Sequence, residues 1–171
     1  MATGITIAPP AKILSIFNPD DFGEVTGTTV ETVTGSVLIP ANTIIATGTV
    51  VEITARAIKT GVAGTLAVRI YANTMDSLVG REVVLLGTFA GSATDIFVQL
   101  SRTLFIGKSP TDTKVFSPSA GAFPSDDTKS TAAEVNEAVD WESDQYIILS
   151  IQNAAAGDSS VGSGIMVKTY K

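Results

Sequence analysis

The chain has 171 residues and a formal net charge of −6, and it contains neither Cys nor His. The missing Cys excludes disulfides, thiolate nucleophiles and Cys-ligated zinc, and leaves the redox compartment open. The missing His removes the side chain most used for proton transfer near neutral pH and for holding transition metals.

A chain of this length fits one domain, which buries roughly 70% of the surface exposed when unfolded. Charged residues make up only 16% of it and its mean hydropathy is +0.33, yet the apolar residues come in short blocks. No apolar stretch reaches about 18 residues, so no membrane span is expected. Met1 to Pro10 lacks both the basic n-region and the continuous h-region of a signal peptide. An acidic chain without a basic cluster predicts no nucleic-acid partner. So little charge over so much apolar surface predicts that other subunits cover part of it, a well-packed monomer being the alternative.

Residues 1–24 read as an extended N-terminal arm. Pro9, Pro10 and Pro19 interrupt the segment, while Ile13, Leu14, Ile16 and Phe17 cluster at a helix-like spacing. That spacing predicts a short helical turn, which Asn18 before Pro19 ends, because a residue preceding proline is pushed out of the α region. The arm lies against its own domain or against a neighbour. Its apolar residues Ile5, Ile7, Ile13, Leu14, Ile16 and Phe17 are the candidate docking set.

Residues 25–171 read as the folded domain, and the β signal persists from Gly27 onward. Thr29 to Ile39 alternates and stops at Pro40-Ala41-Asn42. In Val50 to Ile58 the odd positions are apolar while Glu52, Thr54 and Arg56 take the other face. After the small-residue turn Lys59 to Gly64, Leu66, Val68 and Ile70 alternate with Ala67, Arg69 and Tyr71, which predicts a long antiparallel hairpin from Val50 to Ala72. A hairpin alone does not survive in water, so a second sheet has to cover its apolar face. On its more polar face, Glu52, Arg56 and Arg69 are candidate interface residues.

Glu82 to Phe89 is a further strand, and Asp95 to Ile106 the longest, with Ile96, Val98, Leu100, Leu104 and Ile106 in one phase. Arg102 falls in that apolar phase. A bulge or strand end turning it to solvent is the bland reading. The sharper one is a buried arginine that holds an interface and needs a carboxylate partner, which adds Arg102 to the interface set. Lys108 to Gln145 is irregular, and a loop this long is usually functional or partner-contacting. Within it Thr131 to Glu134 has the form of a capping box, although Val135, Val139 and Trp141 fit a strand equally well. Two strands close the chain, Tyr146 to Gln152 and Ile165 to Tyr170, joined by the Ala/Gly/Ser-rich stretch Asn153 to Gly164. The fold class is therefore all-β: an antiparallel two-sheet sandwich of seven or eight strands, jelly-roll-like, with strand pairing left open.

No catalytic set emerges. A glycosidase needs two carboxylates about 5 to 10 Å apart, and nothing marks a pair among Glu82, Asp95, Asp140 and Asp144. The acidic alternation Asp140 to Asp144 fails as a calcium loop at its sixth and twelfth positions, Gln145 and Ile151. A looser calcium site at Asp126 and Asp127 stays open. No metal or cofactor is expected. Trp141, the only tryptophan, sits near Tyr146, and together they are candidate sugar-facing residues, with a core rim as the alternative for Trp141. The glycines form no phosphate-binding pattern.

Thr28 to Thr32, Ile39 to Thr43, the stretch with Arg56, Lys59 to Gly61 and Gly64 to Tyr71, and the late run Asp140 to Ile147 with Gln152 to Ala154 and Asp158 to Ser163 resemble β-sandwich structural proteins of tailed bacteriophages. The resemblance covers roughly residues 25–170. It implies a non-enzymatic virion component with a jelly-roll fold, often a homotrimer, on head or tail. It would be made in the host cytoplasm, with residues 1–24 as its attachment element. A carbohydrate- or receptor-binding tip, with the 117–145 loop facing a host glycan, is the alternative.

Overall fold

The computed structural model describes residues 14–18, 22–44, 48–61, 64–80, 83–109, 111–116 and 135–170. They form eleven strands: β1 Leu14–Asn18, β2 Val25–Thr26, β3 Thr32–Ile39, β4 Val50–Lys59, β5 Leu66–Asn73, β6 Val84–Gly91, β7 Phe97–Ile106, β8 Thr113–Phe116, β9 Val135–Glu137, β10 Gln145–Asn153 and β11 Ser159–Tyr170. Seven of these are eight residues or longer and make up the body of the sandwich. Every pairing is antiparallel. The larger sheet runs β1-β11-β4-β7-β8-β9, with β2 also on β11, and the smaller runs β3-β10-β5-β6.

Period-two alternation decides which face of each strand is buried. Val51, Ile53, Ala55 and Ala57 of β4 have no exposed surface, and across the interior Val68 and Ala72 of β5 with Ile147, Leu149 and Ile151 of β10 have none either. A Leu or Ile side chain taken fully out of water contributes about 1.5–3 kcal/mol, so these facing rows supply the main attraction between the sheets. The chain reaches this arrangement by changing sheet repeatedly, β3 in the smaller, β4 in the larger, β5 and β6 in the smaller, β7 in the larger, then β10 and β11 one in each. The result is a jelly-roll-like all-β sandwich.

The hairpin expected over Val50 to Ala72 is not formed. β4 pairs with β11 and β7, and β5 pairs with β10 and β6, so the turn after Lys59 carries the chain from one sheet to the other. Both arms do bury one apolar face in the shared interior, but they lie in opposite sheets and share no ladder. The helical turn expected around Ile13 to Phe17 is also replaced, since Leu14–Asn18 is a strand paired with β11 from Leu14↔Thr169 to Asn18↔Ile165. Ile5, Ile7 and Ile13 lie outside the described residues. For residues 14–18 the arm rests on its own domain.

The small-residue connection expected over Asn153 to Gly164 is mostly strand, because β11 begins at Ser159. The glycines there answer to packing. A Cβ on Gly162 would lie 2.6 Å from Thr34 Oγ1 and 2.9 Å from Phe22 Cδ2, so only glycine lets β11 pass that close to β3. Of the undecided stretch, Val135–Glu137 is strand β9, while the capping-box segment 131–134, Asp126 and Asp127 lie outside the described residues.

With no native cysteines, disulfide trapping reads strand neighbours directly. A Thr54→Cys/Ser101→Cys pair occupies a register position of β4 and β7 whose hydroxyls already lie 3.3 Å apart, so it should oxidise readily in the folded protein. Arg56→Cys/Ala67→Cys, which would face each other in a hairpin, should not. Crosslinking of the second pair and not the first would contradict this fold.

Candidate functional site

The four strands of the smaller sheet contain one charged residue, Arg69 on β5. Alternation places it on the outer face, and the register aligns it with Ser150 of β10 and Thr88 of β6. Glu31 supplies its partner. It stands one residue before β3, and its carboxylate reaches across β10, with Oε2 3.2 Å from Arg69 Nη1. Oε1 accepts from Tyr71 Oη at 2.9 Å and from Ser150 Oγ at 2.5 Å. Arg69 Nη2 donates to Gln152 Oε1 at 3.1 Å, and Gln152 Nε2 donates to the Thr29 carbonyl at 3.1 Å. Arg69 Nη1 is buried and not aligned for a hydrogen bond, so its link to Glu31 is electrostatic. Ser150, although on the outer face, has no exposed surface.

This network leaves the sheet face without net charge. Burial, together with the bond to Glu31, pushes the Tyr71 phenol up from 10.0 to about 12, with Arg69 opposing. Beyond the network the face is apolar: the register aligns Leu38 with Tyr146, and Tyr71 with Leu85. Leu38 and Leu85 on this face are exposed at 39% and 45%, and Met75 and Val79 in the connection from β5 to β6 at 49% and 74%. Beside Gln152 lies a shallow cleft of about 300 Å³ lined by Thr29, Thr65, Ala67, Ala90 and Asn153 among others. Its polar lining is largely occupied, since Asn153 Nδ2 donates to the Val25 and Asp158 carbonyls and Oδ1 accepts from Ser160 Oγ.

The structure does not gather the expected interface residues into one patch. Glu52 and Arg56 project from β4 on the outer face of the larger sheet, where Glu52 accepts from Tyr170 Oη at 2.9 Å and Arg56 Nε donates to Gln99 Oε1 at 3.2 Å. Arg69 is on the opposite side of the molecule. Arg102 is 3% exposed and not turned to solvent. Its Nε donates to the Leu86 carbonyl at 3.2 Å, Nη1 to the Ser101 carbonyl at 2.8 Å, and Nη2 stands 3.5 Å from the Thr88 carbonyl. Leu86 and Thr88 belong to β6, so the guanidinium spans the gap between the two sheets. Its desolvation brings it down from 12.5 to about 10, which leaves it charged at neutral pH.

Trp141 is 1% exposed and its indole Nε1 donates to Thr113 Oγ1 at 2.9 Å, so it belongs to the core and presents no ring to a sugar. Tyr146 is half-buried on the smaller sheet's outer face. The acidic run beside Trp141 serves a turn: Asp140 accepts from the Glu142 amide and Ser143 Oγ, and Asp144 Oδ1 accepts from the Ala41 amide. Asp95 likewise caps the Ser92 amide, and Glu82 lies outside the described residues. Among the described residues no group of three or more Asp and Glu side chains is placed to hold a metal, and no helix is long and apolar enough to cross a membrane.

No family profile matches this chain, and no curated protein does. Among solved structures it is similar to one of infectious bursal disease virus, Gt strain, with TM-score 0.41 and 14% identity over 99% of this chain and 38% of that one. It is similar to LamAcat from Zobellia galactanivorans, with TM-score 0.35 and 13% identity over 75% of this chain and 66% of that one. A third likeness is to the infectious bursal disease virus VP2 subviral particle, with TM-score 0.31 and 12% identity over all of this chain and 46% of that one. This chain thus spans 38% to 66% of the chains it matches. At these TM-scores the likenesses carry no argument, and the fold rests on the strands and their pairing.

The Glu31 network is testable by titrating the three tyrosines. Tyr71 should ionise last, near pH 12, and Tyr71→Phe should remove that step. Glu31→Gln should move it part of the way down, because burial, the larger cause, remains. The folded state keeps a proton that the unfolded state gives up at pH 10, so stability should fall as pH rises from 10 to 12. A last step that Tyr71→Phe leaves unchanged would contradict the assignment.

Proposed function

We propose that this chain is a non-enzymatic structural component of a tailed-phage virion, acting through association with copies of itself and docking on the particle. The observation that carries the reading is the smaller sheet's outer face. A chain of net charge −6 repels its own copies, so close contact is favoured where charge is absent and apolar side chains are available. The face with Leu38, Leu85 and Tyr146 has no net charge and offers apolar side chains, while the larger sheet's outer face exposes Phe97 and Phe105 among the charges of Glu52, Arg56 and Lys168. On this reading the partners are the chain itself, as a homotrimer, and other virion proteins on head or tail, with residues 1–24 contributing to attachment. No cofactor, nucleic acid or membrane takes part.

The carboxylate arrangement supports a non-catalytic role. Retaining and inverting glycosidases both place two carboxylates across a cleft, whereas the four strands of the smaller sheet hold no Asp or Glu, and Glu31 is committed to Arg69, Tyr71 and Ser150. A second reading, a glycan- or receptor-binding module, has one observation in its favour, the cleft beside Gln152.

Light scattering on the full-length chain should find an oligomer. Leu38→Asp/Leu85→Asp should raise its dissociation midpoint by at least about 100-fold, since like charges brought into a contact cost several kcal/mol and each 1.4 kcal/mol is tenfold. A strictly monomeric parent chain would overturn the reading, and glycan binding that Gln152→Ala abolishes would favour the second.

A further inference from the structure

We infer that Phe22 is the latch of a strap that covers the outer edge of β11 and ties the root of the N-terminal arm to the domain. β11 has β4 on one edge. Along the other, residues 14–18 pair with it from Leu14↔Thr169 to Asn18↔Ile165, Phe22 N donates to the Gly162 carbonyl at 3.0 Å, and β2 adds Val25↔Ser160 and Thr26↔Ser159. A bare sheet edge presents a row of open backbone groups, and covering it with another segment is one way a fold protects it.

The Phe22 ring sits where a strand of each sheet gives way to it. A Cβ on Gly35 of β3 would run into Cδ1, Cε1 and Cζ of Phe22, and one on Gly162 of β11 would lie 2.9 Å from Cδ2. Neither glycine has a positive φ, so no turn requires them, and a glycine inside a strand otherwise weakens it. Both strands are also irregular at this point. The β3–β10 ladder shifts register so that Thr34 is extra, and the β11–β4 ladder shifts so that Ser163 is extra. A bulge bends its strand and re-aims the side chains beside it. Two glycines and two bulges, one of each from either sheet, therefore meet at one half-buried phenylalanine and form a slot for its ring. Val25 fixes the strap just beyond, buried in the core with its carbonyl accepting from Asn153 Nδ2. Release at Phe22 thus frees the chain N-terminal to it, bares the β11 edge and leaves Val25 in place. That the freed segment is the one that docks on a particle rests on the attachment role proposed above, and the latch itself does not.

The test follows amide hydrogen exchange by mass spectrometry in the full-length chain and in its Phe22→Ala, Gly35→Ala and Phe22→Ala/Gly35→Ala variants. Phe22→Ala should speed exchange of the protected amides in residues 14–18 at least about tenfold, equivalent to about 1.4 kcal/mol, while β5 and β10 keep their protection, since a strap opens without unfolding the core. Gly35→Ala should do the same, because its methyl group takes the ring's place. In the double variant the methyl meets no ring, so the combined effect should fall well short of the product of the single ones. If Phe22→Ala does not fold, Phe22→Leu carries the test with a smaller gain confined to the same residues. Exchange in residues 14–18 that is unchanged in a folded Phe22 variant, that rises only together with β5 and β10, or that multiplies in the double variant would overturn the inference. A latch that behaves as predicted in a chain that attaches to no particle would count against the attachment role alone.

Discussion

The contact between the two sheets is the constraint on which the rest depends. No single ladder is stable in water with one face bare, and each of the seven long strands has its apolar row turned toward the other sheet. β4 and β5 separate after Lys59 and still bury their apolar rows, Val51-Ile53-Ala55-Ala57 and Leu66-Val68-Ile70-Ala72, in the shared interior. The same requirement explains why the interior accepts so few polar groups. Several of those it holds are bonded, Trp141 to Thr113, Asn153 to the Val25 carbonyl and Arg102 to β6.

The two outer faces then take different characters from the same alternation. On the larger sheet the outward positions of β4, β7 and β11 include Glu52, Arg56 and Lys168 beside the exposed Phe97 and Phe105, with Lys168 directly opposite Glu52 in register, a cross-strand pair of opposite charges. On the smaller sheet the outward positions are Leu38, Tyr146, Tyr71, Leu85, Ser150 and Thr88, and the one cation among them is neutralised by Glu31. A surface that is without net charge and partly apolar suits contact between protein copies better than it suits two-carboxylate hydrolysis, for which a second carboxylate near Glu31 would be needed.

Much of the fold was legible in the residues, because alternation reports burial directly. β4, β5, β6, β7 and β10 fall within a few residues of where Val50 to Ile58, Leu66 to Ala72, Glu82 to Phe89, Asp95 to Ile106 and Tyr146 to Gln152 place them. Pairing was not legible, since a strand that buries its odd residues gives no sign of which strand lies beside it, and the turn Lys59 to Gly64 suits a hairpin and a crossing alike. Arg102 announced itself by breaking the apolar phase, but the β6 carbonyls it reaches carry no residue code. Gly162 and its small neighbours read as a loop because close packing and flexibility use the same residues. Glu31 gave no local signal, being an isolated acid in a Thr-rich stretch and 119 residues from Ser150. The usable hint was on the other side, in a single Arg69 within four otherwise uncharged strands.

The central claim is that the smaller sheet's outer face is the surface on which this chain meets its partners. Hydroxyl-radical footprinting of the intact protein at dilute and high concentration measures it residue by residue. The account predicts that Leu38, Leu85 and Tyr146 lose reactivity as concentration rises, while Ile96 and Phe97 at the start of β7 in the larger sheet, exposed at 70% and 43%, keep theirs. Protection confined to Ile96 and Phe97, or no protection at any concentration, would contradict it.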